Sequence, residues 1–354
     1  MAEADPKKIA EALTRTYDAT EHVVTLPTDL ETARYIIFSD LHKGQRDGAD
    51  DFRKCERAYN AALGYYHSKG YTLFVLGDVE ELWECRPKHV LAAYKYNLEL
   101  EAQFHTAGRY YRFYGNHDDD WANPGAVKQW LQPVYGATME VFEAARLVVK
   151  RKGQEIGRIF LLHGHQGTTF SDRRRKIARV FVRYVWRPLQ RLFRLSSTTP
   201  AKDWELREAH GSAMHRWASD KSKLILIAGH THRPVVISQS HSGRLLQELE
   251  EAQSKLLADP TSTEARQRVA DLRAELEWIK AEGPTPPGQM ELLTAPTRPC
   301  YFNSGCCCYP DGDVTGLELS DGQIKLVRWP DDDDRPKPKI LAVVSVDELF
   351  ESLS

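Results

Sequence analysis

The sequence predicts an α/β protein in which two packed sheets are flanked by helices. Short apolar, β-rich runs alternate with longer segments of helical period through the first two thirds of the chain, and strands follow one another directly after residue 294. Five of the early runs also end in Asp, Asn or His, so that residues far apart in sequence would meet at one edge of a sheet. At 354 residues, with 42% hydrophobic and 28% charged residues, the chain is composed like a globular protein, long enough for two domains of about 150 residues or one large α/β unit. That composition excludes disordered and collagen-like chains.

Taken in order, residues 1–34 form an N-terminal extension; its opening, MAEADPKKIAEALTRTYDAT, mixes acids and bases without an apolar core and so is no secretory signal. Tyr35 to Phe38, Thr72 to Leu76 and Tyr110 to Tyr114 read as strands, with helices over about 50–69 and 88–107 as the crossovers that parallel strands require. Arg158 to Leu162 and Leu224 to Ala228 are further strands, separated by a helical insert at about 170–220. Within it, Arg173 to Arg194 carries nine bases and no acid, interleaved with Ile177, Val180, Phe181, Tyr184 and Val185 at helical spacing. Such a basic amphipathic helix suits an anionic membrane or lipid surface, or a lid over an anionic substrate.

A helical hairpin follows at about 242–283, broken at Asp259-Pro260, with Thr261 and Glu264 at capping-box spacing for its second arm. It serves as a packed hairpin or as an oligomerisation arm. GPTPPG at 283–288 is a stiff return, and Cys300 to Asn303, Val314 to Leu319 and Ile324 to Trp329 complete the strands of a 35–329 domain. The remaining 330–354 comprises an acidic, proline-containing tether and a terminal element. The longest apolar runs, 223–228 and 340–346, are too short for a bilayer, which predicts a cytoplasmic protein, membrane-peripheral at most through 173–194. A net charge of −2 argues against a dedicated nucleic-acid binder. The six cysteines lack CxxC spacing and read as reduced thiols; in Cys306-Cys307-Cys308, neighbours alternate between faces, which favours a structural role over a soft-metal site.

The chemistry lies just past the strands, in Asp40-Leu-His42, Gly77-Asp78, Gly115-Asn116-His117-Asp118, His163-Gly-His165 and Gly229-His230-Thr-His232. Carboxylate, amide carbonyl and imidazole suit borderline divalent metals such as Mn, Fe and Zn. Asp40, His42, Asp78, Asn116, His163, His230 and His232 are seven ligands, more than one catalytic ion takes, so two ions sharing one carboxylate fit better. Two such ions against two carboxylates leave a positive site that favours an anionic phosphate oxygen.

In this order, DLH, GDVEE, GNHD, a strand-end His and GHTH resemble the signature of the calcineurin-like metallophosphoesterases over about residues 35–329. The resemblance implies a four-layer α/β/β/α sandwich. It also implies one metal on Asp40, His42, Asp78 and His232, and another on Asp78, Asn116, His163 and His230, with manganese the expected ion. A hydroxide bridging the ions would attack phosphorus in line. His117 would be the general acid for the leaving group, with Asp118 fixing its tautomer.

GDVEELW, the bases after His163 and GHTHRP are similar to the UDP-2,3-diacylglucosamine hydrolase branch, which implies a lipid or nucleotide pyrophosphatase as one alternative. That branch has Arg in place of His117 and Asp in place of His165, so a phosphate mono- or diester whose leaving group needs a proton is the favoured substrate. Glu81 and Trp83 are expected behind the ligands or in a pocket wall, Lys43 and Arg46 on substrate phosphate, and His165 beside the metal or the substrate. A non-catalytic protein-binding scaffold of the same fold is the alternative from another class.

Overall fold

The structure, a computed structural model, describes residues 5–136, 138–167, 200–236, 239–259, 261–281, 298–331 and 336–354. Its strands are β1 (Val23–Asp29), β2 (Arg34–Phe38), β3 (Thr72–Leu76), β4 (Tyr110–Phe113), β5 (Val141–Phe142), β6 (Ala144–Arg151), β7 (Gln154–Leu162), β8 (Leu224–Ala228), β9 (Pro234–Val236), β10 (Gln239–Ser240), β11 (Tyr301–Ser304), β12 (Val314–Ser320), β13 (Gln323–Trp329) and β14 (Lys339–Ser345). The helices used below are α1 (Pro6–Asp18), α2 (Phe52–Ser68), α3 (Pro87–Ala93), α4 (Lys95–Thr106), α5 (Pro200–Ser219), α6 (His241–Ala258), α7 (Thr263–Ala281) and α8 (Val346–Ser352).

The strands make two seven-stranded sheets, in the orders β1-β6-β7-β8-β11-β9-β10 and β14-β13-β12-β2-β3-β4-β5. Their centres are parallel, β2–β3–β4 in one and β7–β8–β11 in the other. Period-two alternation decides the layering. Ile37 of β2 and Phe74 and Leu76 of β3 face the other sheet and share a core with Ile159 and Leu161 of β7 and Ile225 and Ile227 of β8. Ile36, Phe38, Leu73 and Val75 face outward onto Phe52, Tyr59 and Leu63 of α2 and Leu98 and Phe104 of α4. On the far side, Ile9 and Leu13 of α1 and Met214 and Trp217 of α5 cover the first sheet. The result is a four-layer α/β/β/α sandwich, the fold class the sequence indicates.

Several elements differ from expectation. Helix 88–107 divides at Tyr94, whose buried ring is anchored by a 2.7 Å hydrogen bond from its hydroxyl to Asp50. The N-terminal extension is integral to the sandwich. α1, capped by Asp5, buries Ile9 and Leu13, while β1 runs parallel to β6 over seven residue pairs. The C-terminal segment adds the edge strand β14 and the helix α8, whose Val346, Leu349 and Phe350 enter the inter-sheet core. α6 and α7 pair through Leu245, Ala252, Val269, Leu272 and Leu276, a small core of their own. The basic segment 173–194 and the tract 283–288 lie outside the described residues. Among those described, no helix is long and apolar enough to cross a membrane.

Candidate metal centre

Each polar cluster follows a parallel strand, and the parallel registers bring β2, β3, β4, β7 and β8 to the same edge of the sandwich. The loops turn sharply there. Asp40, His42, Asp78, His230 and His232 all have positive φ, between 50° and 67°, and they make up five of the ten such non-glycine residues among those described. Left-handed backbone at Asp and His is uncommon, and it persists where surrounding structure enforces it. Close approach is enforced by glycine. A Cβ on Gly115 would lie 2.1 Å from Asp78 Oδ1, and one on Gly229 would lie 2.5 Å from Asp40 Oδ2.

Asp78 lies at the middle. Its Oδ2 is 3.2 Å from His163 Nε2 and 3.6 Å from His42 Nε2, and its Oδ1 accepts a 2.8 Å hydrogen bond from the His117 backbone. Asp40 Oδ1 is 3.2 Å from His232 Nε2, which in turn is 3.2 Å from His42 Nε2. The donor atoms form two groups, Asp40/His42/His232 and Asp78/His163/His230, each with all its atoms within 4.8 Å of one another. The short His42–Asp78 distance joins them.

Hydrogen bonding fixes which nitrogen is offered. His163 donates through Nδ1 to the Leu76 carbonyl at 2.8 Å, leaving the Nε2 lone pair facing Asp78. His42 Nδ1 is held 3.0 Å from Glu81 Oε2, leaving its Nε2 facing His232. His163 Nε2 faces only the Asp78 carboxylate, and Asn116 Oδ1 is buried without a hydrogen-bond partner. A buried acceptor left so costs about 1–3 kcal/mol, which a divalent cation on that lone pair would offset.

The charges point the same way. Burial would raise Asp78, but His163 and His117 hold its carboxyl well below the usual range. Burial likewise opposes protonation of His42 and His163, yet Glu81 and Asp78 hold His42 up at about 10, and Asp78 and Asp40 hold His163 up at about 9. These desolvated carboxylates demand positive partners. The donor set therefore fits a borderline divalent metal.

Around this centre the structure revises several roles. Asp118 does not touch the His117 ring. Its carboxylate accepts from the Asp78, Val79 and Gly115 amides at 3.1, 2.9 and 2.6 Å, tying the β3 and β4 loops together. Burial and the nearby Asp78 push it up to about 7. The group on His117 Nδ1 is Glu81, at 2.9 Å from Oε1, so one carboxylate orients both His42 and His117. Trp83 stacks on His117 at 4.8 Å and 20°, and its Nε1 donates to the Asn116 carbonyl.

Lys43 is not a phosphate contact. It is wholly buried, 2.6 Å from Glu101, in a cluster with Tyr59, Tyr110 and Tyr135. Arg46 lies over the Tyr94 ring and binds Glu56 and the Ala93 carbonyl, which commits its guanidinium to α2 and α3. His165 packs 5.4 Å from the His163 ring and 6.2 Å from Tyr114, outside both donor groups. Two supports escaped the sequence reading. Asn303 at the end of β11 donates to the Gly229 carbonyl at 2.6 Å, a strand-end polar residue like the others. His210 of α5 reaches the Gly164 carbonyl at 2.5 Å, and a histidine inside a helix gave no signal of that.

The family description for calcineurin-like phosphoesterases matches residues 33–234, more than half of the chain, and that span contains all seven donors. The chain belongs to this family. Calcineurin-like phosphoesterases act on phosphorylated substrates with divalent metals, so the chain is a metal-dependent phosphoester hydrolase by family. No curated protein matches it.

Proposed function

We propose that this calcineurin-like phosphoesterase hydrolyses a phosphate mono- or diester at a dinuclear centre. Asp40, His42, Asp78 and His232 would hold one ion, and Asp78, Asn116, His163 and His230 the other. The observation that carries this is the pair of donor groups joined at Asp78. Manganese is our first choice of ion, with iron or zinc compatible with the same donors. When bound, such ions would supply an activated water at neutral pH and neutralise charge on the phosphoryl oxygens.

The protein's own residues would do the rest. Although burial opposes it, Glu81 and Asp78 raise the affinity of His117 for a proton. With Nδ1 engaged by Glu81 and the ring held flat on Trp83, Nε2 is the atom left to protonate the leaving oxygen. A histidine donor matters most for an alkoxide leaving group, which supports an ester over a pyrophosphate. The basic segment 173–194 enters the chain between the His163 loop and α5, whose His210 borders the site, and this supports a substrate with further negative charge.

The test is a hydrolysis screen with added Mn²⁺ over phosphomonoesters, diesters, nucleotide pyrophosphates and lipid pyrophosphates, joined to elemental analysis. We expect metal-dependent turnover of mono- or diesters. His117→Ala should lower kcat on a poor leaving group by about 10²–10⁴ while metal content stays near wild type. An unchanged kcat removes the acid assignment, and no turnover of any substrate leaves the scaffold reading in its place.

A further inference from the structure

The imidazole of His232 has two occupied sides. Its Nε2 faces Asp40 and His42, as described, and its Nδ1 lies 3.7 Å from Cys308 Sγ. Alternation along the Cys306-Cys307-Cys308 run, which argued against a metal site for adjacent thiols, returns the first and third to one side. Cys307 turns into the core, its thiol 3.8 Å from the Thr315 carbonyl. Cys306 Sγ, Cys308 Sγ and a nitrogen of His232 all lie within 4.8 Å of one another.

This arrangement is held before any ligand arrives. The Cys307 amide donates to the Asp40 carbonyl at 3.1 Å, and the Thr315 amide donates to the Cys306 carbonyl at 3.0 Å. Gly305 turns the chain with φ +78°, where a Cβ would strike Thr315 Oγ1. Cys306 is buried, while Cys308 and His232 are only partly so, which leaves a route in from solvent.

We propose that Cys306, Cys308 and His232 Nδ1 form a binding site for one thiophilic ion of the Zn²⁺, Cd²⁺ or Cu⁺ class. Two sulfurs and one imidazole nitrogen select such ions, whereas the oxygen-rich donors on the other side of the ring suit manganese. Binding of a divalent ion displaces the two thiol protons to solvent and forms two metal–sulfur bonds, with no change in oxidation state. A neutral imidazole offers a single lone pair. Occupation of this side therefore withdraws His232 from the Asp40/His42 side, and this consequence alone rests on the function proposed above. The thiol site itself stands on its own donors.

The probe is Cd²⁺ titrated into the reduced, chelator-treated full chain. A thiolate-to-cadmium absorption band should grow and saturate at one ion per chain, and it should vanish in Cys306→Ser/Cys308→Ser but persist in Cys300→Ser. In the unmutated chain, where folding is not in question, Cd²⁺ should slow alkylation of Cys308 about tenfold or more. No band, an equal band in the double variant, or unslowed alkylation of Cys308 overturns the site. None of these readouts depends on phosphoesterase turnover.

Discussion

Replacing Glu81 with Gln separates the two tasks given to one carboxylate. Glu81 lies 3.0 Å from His42 Nδ1 and 2.9 Å from His117 Nδ1, and it is held down at about 2, burial being outweighed by those two histidines. Gln keeps the shape but carries one acceptor and one donor group, so it can satisfy only one Nδ1–H. It also removes the charge that favours a protonated His117. A hydrogen bond to a charged group contributes about 1.5–3 kcal/mol, and losing it at the leaving-group acid corresponds to about 10- to 150-fold in rate. On the metal side, loss of an oriented ligand partner weakens affinity by about 10- to 100-fold. At saturating Mn²⁺ the metal deficit is made good, so the kcat that remains reports His117. Steady-state kinetics should show the full loss on an alkyl phosphoester and little loss on a p-nitrophenyl ester, whose phenolate leaves unaided. Equal kcat for Glu81→Gln and wild type on the alkyl ester would refute the shared-carboxylate argument, as would equal losses on both substrates.

Two further outcomes follow from the same geometry. Lys43→Met keeps the bulk but strands the buried Glu101 carboxylate, with Arg112 at 3.9 Å as partial compensation, so urea unfolding should show a loss of about 3 kcal/mol; a change under about 1 kcal/mol contradicts the buried pair. With metal chelated, His42 binds its proton more tightly folded (about 10) than its ordinary 6.5, despite burial, because of Glu81 and Asp78. That stabilisation is complete below 6.5 and is lost as pH rises through 10, so Tm of the chelated protein should fall across this window while the metal-loaded protein changes less. A pH-independent difference between the two forms contradicts it.

That these polar residues would meet at one edge was legible because strand-end chemistry is local. An apolar run, a glycine and then Asp, Asn or His can be read without knowing which strands pair. What could not be read was the course of each loop. Asp118 and Glu81 are both acids close in sequence to a donor, and only the turn after β3 decides that Glu81 reaches His117 while Asp118 binds backbone amides. Lys43 resembles a loop cation until Glu101, 58 residues away on α4, is seen to lie against it. α1 did carry a signal, with Ile9, Leu13 and Thr16 on one buried face. The parallel pairing of β1 with the distant β6 carried none, since nothing in either strand names its neighbour. The thiols of Cys306 and Cys308 were legible as a pair two residues apart, but His232 as their third member was not.

In the proposed centre one carboxylate, Asp78, joins two metal sites. Crystals grown with excess Mn²⁺ and measured at the manganese absorption edge test it directly. Two anomalous peaks per chain are expected. One should be contacted by Asp40, His42 and His232, the other by Asn116, His163 and His230, with Asp78 touching both. A single peak, or two peaks without Asp78 between them, would contradict it.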